Sequence, residues 1–164
     1  MELSFRSLGV SDLDLLMDWR IRVLEEVFDT SLNNLKKEAL IEANRKYLQA
    51  HLTDGSHLSL LVEARENGQL KEIGCGDLCF WSEMPSPDNL SGKCAYLMNI
   101  FVLPQYRHHS IGSKLVHTLI EEAKHRGISK IYLETTDLGR PVYEKNGFVP
   151  LEDYLIYHET KDRN

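Results

Sequence analysis

Apolar residues return at helical spacing twice near the start of the chain. Leu13, Leu16, Met17, Ile21 and Leu24, with Arg20 on the same stripe, keep a 3.6-residue period to about Phe28. Ser11-Asp12-Leu13-Asp14 reads as its start, with Ser11 as N-cap and acids in the first turn. A second helix is expected from Leu35 to about Ala50, with Leu40, Ala43, Tyr47 and Leu48 apolar. Residues 3–8 form a short strand ahead of both. After a turn at Asp54-Gly55 the period shortens. His57–Arg65 reads as a strand, Asn67-Gly68 as a two-residue hairpin turn, and Glu72–Trp81 as the returning strand. Met84–Gly92, rich in Pro, Ser, Asp and Asn, is a loop. Cys94–Leu103 is a nearly unbroken apolar run, the pattern of a central buried strand, and Pro104 stops it.

The helical period then returns in Ile111, Leu115, Val116, Leu119, Ile120 and Ala123, closed by Arg126-Gly127. A strand over Lys130–Thr135, a short helix over Gly139–Asn146 and a last strand over Leu151–His158 complete the order β-α-α-β-β-β-α-β-α-β. This is an α/β (α+β) chain with helices covering a mixed sheet.

The 164 residues fit one compact domain spanning 1–164. A 42% hydrophobic and 27% charged balance is that of a soluble globular protein. No apolar run approaches the roughly 18–20 residues of a membrane span, and residues 1–7 lack the pattern of a secretory signal. The cytoplasm is therefore the expected compartment, with no membrane partner. Cys75 and Cys79 fall on one strand, about 13 Å apart, too far for a disulfide. With Cys94 they read as small buried hydrophobes. No CxxC or HxxxH spacing accompanies them, so no metal is expected. A formal net charge of −6 disfavours a nucleic-acid partner and suits a cationic substrate, though it also serves plain solubility.

Chemistry concentrates in Asn99–Gly112 (NIFVLPQYRHHSIG). A buried strand stops, a short polar loop carries Arg107, His108 and His109, and an amphipathic helix opens at Ser110-Ile111-Gly112. Free backbone N–H groups and the helix dipole converge at such a junction, which is how phosphate is bound. Lys114 adds charge. A basic loop before a helix is equally often a solvated turn. Neither the Walker loop nor the dinucleotide glycine fingerprint is present.

Val102, Pro104, Arg107, Ile111, Gly112 and Leu115 together resemble the acetyl-CoA motif V-x-P-x-x-R-x-x-x-I-G-x-x-L of the GNAT acetyltransferase superfamily. Tyr143-Glu144-Lys145-Asn146-Gly147-Phe148 resembles its Y-E-K-x-G-F segment. One helix and one strand separate the two blocks, as in that superfamily. The resemblance implies a splayed sheet and transfer of an acetyl group from acetyl-CoA to an amine. It places the pantetheine arm along Ile100, Phe101 and Val102, and the pyrophosphate at Arg107, His108, His109, Ser110, Ile111, Gly112 and Ser113. The family's loop usually has glycines where His108 and Ser110 stand. A non-glycine residue supplies its N–H there if φ is negative, and Ser110 is also placed to cap the helix. The family's asparagine contact to the cofactor arm is Thr136 here.

The resemblance also makes Tyr143 the general acid for the leaving thiolate; by itself it reads as a core tyrosine. Glu134, in IYLETT, is a base or amine-binding candidate, because a carboxylate in an apolar strand is costly unless it faces a cleft. It fits the solvent face of an alternating strand equally well. Asn99 either orients the acceptor or satisfies backbone groups. Glu25 and Glu26 lie where the family's substrate loops fall, or on a solvated helix face. Arg140 meets phosphate or solvent. Phe80, Trp81 and Tyr96 pack in the sheet or line the acceptor pocket. A water relay without a dedicated base is also consistent. Direct transfer in a ternary complex is the leading reading, a non-catalytic acyl-CoA-binding module the alternative, and a homodimer is allowed. The first half of the chain holds nothing that identifies the acceptor, which is a small-molecule amine or a protein amine.

Overall fold

The computed structural model describes residues 1–27, 34–152 and 154–157. β1 (Glu2–Leu8) is followed by α1 (Leu13–Val27), α2 (Asn34–Asp54), β2 (His57–Glu66), β3 (Gln69–Ser82) and β4 (Lys93–Val102). Then come α3 (Ile111–His125), β5 (Lys130–Tyr132) and α4 (Arg140–Lys145). The strands form one sheet in the order β1-β2-β3-β4-β5. The first four pair antiparallel and β5 runs parallel to β4.

The sheet separates two cores. Leu58, Leu60, Val62, Ile73, Leu78 and Leu97 meet Ile111, Leu115, Val116 and Leu119 of α3 on one face. On the other, Leu61, Cys75 and Phe101 meet Leu16, Met17, Trp19 and Val23 of α1 and Leu48 of α2. Strands covered on both faces must be apolar throughout, hence the nearly continuous runs of β2 and β4. Asn67 (φ 49°) and Gly68 (φ 79°) turn β2 into β3 with two left-handed residues, the geometry that a two-residue hairpin requires.

Two features open the sheet where chemistry is expected. β5 pairs with β4 only through Cys94, Ala95 and Tyr96. From Leu97 to Val102 the β5 side of β4 has no strand partner among the described residues. β4 also carries a bulge. Met98 pairs with Asp77 and Phe101 with Cys75, so Asn99 and Ile100 together face Gly76. Asn99 takes φ 59° to make this step, which asparagine tolerates better than most residues. Met98 and Asn99 therefore both point to the α1/α2 side.

Three expectations change. Ser11 does not cap the first helix; it lies within a short 3-10 turn, Val10–Asp12. Asp12 instead accepts a hydrogen bond from the Gly9 N–H, at 2.9 Å. The strand expected over Lys130–Thr135 ends at Tyr132, because the chain turns away from β4 there. Leu151, Glu152 and residues 154–157 of the expected last strand belong to no strand; Asp153 and His158 lie outside the described residues. Leu155 and Tyr157 are almost wholly exposed there, so no pairing partner or core fixes them as a strand.

Candidate functional site

The loop after β4 folds back on itself before α3. The Arg107 N–H donates to Pro104 O, and His109 Nδ1 donates to Arg107 O at 2.7 Å. His109, though exposed, thus braces the loop. His108 (φ 65°) and Ser110 (φ 59°) are left-handed. Both occupy positions where glycine is expected, and the negative φ foreseen for them is not adopted. Ser110 precedes the helix but makes no side-chain cap, which corrects that expectation. Lys114 N–H is the first to bond within the helix, to Ser110 O. The N–H groups of Ile111, Gly112 and Ser113 remain as the helix's open donors. A Cβ on Gly112 would meet only Val142, at 3.9 Å, so this side of the turn is roomy.

Arg107 is turned away from those donors. Its Nε donates to Val102 O at 2.9 Å, its guanidinium lies 5.5 Å over Phe101, and its Nη2 pairs with Glu26 of α1. Glu25 pairs with Lys37 of α2. Ser113 Oγ receives a hydrogen bond from Asn146 Nδ2 at 3.0 Å, and the same amide reaches Val142 O. Asn146, which the sequence offers only as the variable letter of Y-E-K-x-G-F, is therefore the tie between α4 and α3.

Tyr143 is half-buried on α4, edge-on to Phe148 at 5.9 Å. Burial raises its phenol above the ordinary value, so it stays protonated through the neutral range. Thr136 is spent locally, its hydroxyl accepting from the Gly139 N–H and its carbonyl from the Arg140 N–H. Arg140 lies near Glu144, 3.9 Å away. Glu134 is exposed, beyond the end of β5. Burial, with the Glu134 carboxylate as second cause, pushes the Tyr96 phenol up to about 12. Trp81 stacks on Tyr132 and touches Tyr96, whereas Phe80 packs with the α3 core under Arg126.

On the α1/α2 side, directly behind the β4 bulge, lies a cavity of about 190 Å³. Arg20, Asn44, Tyr47, His57, Asp77 and Asn99 contribute its polar wall. Asn99 Nδ2 donates to Asp77 Oδ2 at 2.7 Å, and Arg20 holds Asn99 Oδ1 and Asn44 Oδ1 at 3.1 and 2.9 Å. Burial raises the Asp77 carboxyl and lowers the His57 imidazole, each favouring its neutral form. Neither residue is singled out by sequence reasoning. The rule that points to Glu134, an acid within an apolar strand, points equally to Asp77 in GCGDLC. No group of three or more His, Cys, Asp or Glu side chains among the described residues is placed to hold a metal. No helix among them is long and apolar enough to cross a membrane.

Residues 16–148 match the Acetyltransferase (GNAT) family, and the chain belongs to it. A predicted acetyltransferase of Clostridium acetobutylicum, solved with acetyl-CoA, is similar over 96% of both chains, with 28% identity and TM-score 0.80. A GCN5-related N-acetyltransferase from Ralstonia eutropha JMP134 aligns with 96% of this chain and 99% of its own, at 25% identity and TM-score 0.77. The thialysine N-epsilon-acetyltransferase of Mus musculus is 32% identical over 63 residues, which are 38% of this chain and 37% of that protein. The chain is thus an acyltransferase of this family, with acetyl-CoA as co-substrate.

Proposed function

We propose that this chain is an N-acetyltransferase that moves the acetyl group of acetyl-CoA directly to a primary amine within a ternary complex. One observation carries the reading. The edge of β4 from Leu97 to Val102, which has no strand partner among the described residues, leads into the open N–H groups of α3. An extended amide-bearing chain pairs with such an edge as a further strand would, and its phosphates suit the helix N-terminus. Ile100, Phe101 and Val102 are the edge residues, with a backbone N–H there for the developing oxyanion. His108 to Ser113 supply the phosphate donors, and Arg107 joins them on release from Glu26.

Tyr143 gives its proton to the leaving thiolate. From ordinary values of about 10 and 8.5 that transfer is uphill by about 2 kcal/mol, and burial of the phenol raises the cost. Positioning must offset it. The acceptor lies on the α1/α2 side of β4, where the acidic balance suits a cationic amine. Thialysine, the substrate named for the mouse relative, is the first to try. The same reading treats the chain as one domain.

Calorimetry with acetyl-CoA, followed by thiol release with thialysine, tests this. Native protein should bind with micromolar affinity, and Ser110→Glu, which puts a carboxylate on the α3 N-terminus, should lose at least about tenfold. Tyr143→Phe should keep binding and lower kcat about 10²- to 10⁴-fold. A folded native chain that binds no acetyl-CoA refutes the proposal. Binding without turnover of any amine in a broad screen leaves the acyl-CoA-binding module instead.

A further inference from the structure

Nothing on β4 beside the splay can take a proton from an ammonium group: the run Leu97–Val102 holds no acid and no histidine. Glu134 is exposed beyond β5. Yet an amine that arrives protonated must lose one proton before it attacks. Behind Asn99 the cavity wall holds Asp77 Oδ1, one strand inward on β3, and His57 Nε2, two strands inward on β2; neither has a hydrogen-bond partner among the described residues. Both residues are at least nine-tenths buried. Buried groups left unpaired cost free energy and call for an explanation.

The hydrogen bonds around His57 suit the Nδ1–H tautomer. Tyr47 Oη donates to Cys79 Sγ at 3.2 Å, so it accepts from His57 Nδ1, 3.3 Å away. The Nδ1 proton leaves Nε2 as a bare lone pair. That lone pair lies 3.9 Å from Asp77 Oδ2. When Asp77 is ionised, two acceptors face each other with no proton between them, an arrangement that invites one. The cavity's 190 Å³ exceeds the roughly 10–15 Å³ of probe volume needed to hold a water, so a water can carry that proton from the bulge.

We propose that His57 Nε2 receives the proton of the acceptor ammonium through water in this cavity, and that Asp77 is the positioning residue that stabilises the imidazolium formed. The proposal rests on the acetyl-transfer reading above. The steps balance. An ammonium N–H bond breaks, its electron pair stays on nitrogen, and the proton ends on Nε2. The free amine attacks the acetyl carbon, C–N forms and C–S breaks. The second nitrogen proton passes to water as the intermediate collapses, Tyr143 protonates the thiolate, the tyrosinate takes a proton back from water, and His57 returns its proton to solvent. No oxidant or reductant is involved. The charged and titratable groups facing the pair are Arg20 from α1, Tyr47 and His51 from α2, and Cys75 and Cys79 from β3. Burial disfavours an imidazolium, Asp77 favours it, and His51 and Arg20 add to the burial. His57 therefore rests neutral and takes a proton only transiently.

The first test is NMR of the whole chain with labelled histidines. His57 should be the Nδ1–H tautomer at neutral pH, and Asp77→Asn should lower its titration midpoint. An Nε2–H tautomer, or a midpoint unmoved by Asp77→Asn, overturns the proposal. The second test uses thialysine turnover. His57→Ala, its fold verified by circular dichroism, should lose about 100-fold in kcat/KM and recover in part with added imidazole. The acid limb of kcat/KM should move to lower pH in Asp77→Asn. A folded His57→Ala at full rate, or a slow one with neither imidazole rescue nor a pH response, sinks the idea. A native chain that acetylates no amine removes the reading beneath it, and the tautomer measurement separates that failure from a failure of the pair.

Discussion

His108 and Ser110 hold left-handed backbone that costs an ordinary residue about 1–2 kcal/mol. Histidine bears it more easily than serine. Ser110 makes no cap to compensate. Replacing it with glycine should raise stability by about 1 kcal/mol, after allowing for the added freedom of the unfolded chain. Denaturant melts of Ser110→Gly check this, and an unchanged or lower midpoint would mean the strain is not there. Arg107 poses a related question. Its pair with Glu26 is half-exposed on both sides, a setting in which ion pairs are worth about 0–1 kcal/mol. If the guanidinium must leave Glu26 to meet phosphate, Glu26→Gln should tighten acetyl-CoA binding by up to about fivefold. Calorimetry reads this directly; unchanged affinity would make Arg107 a brace for the β4 end and nothing more.

Among the elements, β4 sets the geometry, and its neighbour β3 sets β4. A Cβ on Gly74 would sit 2.5 Å from Phe101 O. That atom is backbone and cannot swing aside. Gly74→Ala should therefore push β4 outward along the very edge that is open, costing about 1–3 kcal/mol and weakening acetyl-CoA binding in step. Normal affinity in a folded Gly74→Ala protein would show that the edge does not hold the co-substrate. The bulge at Asn99 explains why some elements read easily and others did not. Regular period, in α1, α3 and the hairpin at Asn67-Gly68, is written in side-chain chemistry and is legible. A bulge is one extra residue in an otherwise apolar run, and the only local sign of it is an asparagine that accepts positive φ. The early end of β5 and the unpaired 154–157 segment depend on whether a neighbouring strand is within reach, which no local pattern records.

For the whole molecule, the chain's two motif blocks point to the loop and to Tyr143, because each block is one continuous stretch of sequence. The polar cavity escaped because it draws Arg20, Tyr47, His57, Asp77 and Asn99 from α1, α2, β2, β3 and β4. Its burial has a consequence for stability that does not depend on catalysis. Folding holds His57 neutral, with its pKa below the ordinary value, chiefly by desolvation. As pH falls through about 6.5 the unfolded chain takes up a proton that the folded chain refuses. Stability from this residue is complete above that pH and is lost as pH falls toward the folded pKa. Asp77 acts in the opposite sense. Its folded pKa is raised above 3.8 by burial, so the folded chain holds the extra proton and stability declines as pH rises through the interval. Urea melts of native protein and His57→Gln at pH 8 and pH 5 read the histidine together with its coupling to Asp77, since the more distant titrations are common to both. The native protein should lose more stability over that range than the variant. Equal losses would mean that His57 is solvated enough to titrate normally, and an ordinary, water-exposed imidazole could not be the buried acceptor inferred for it.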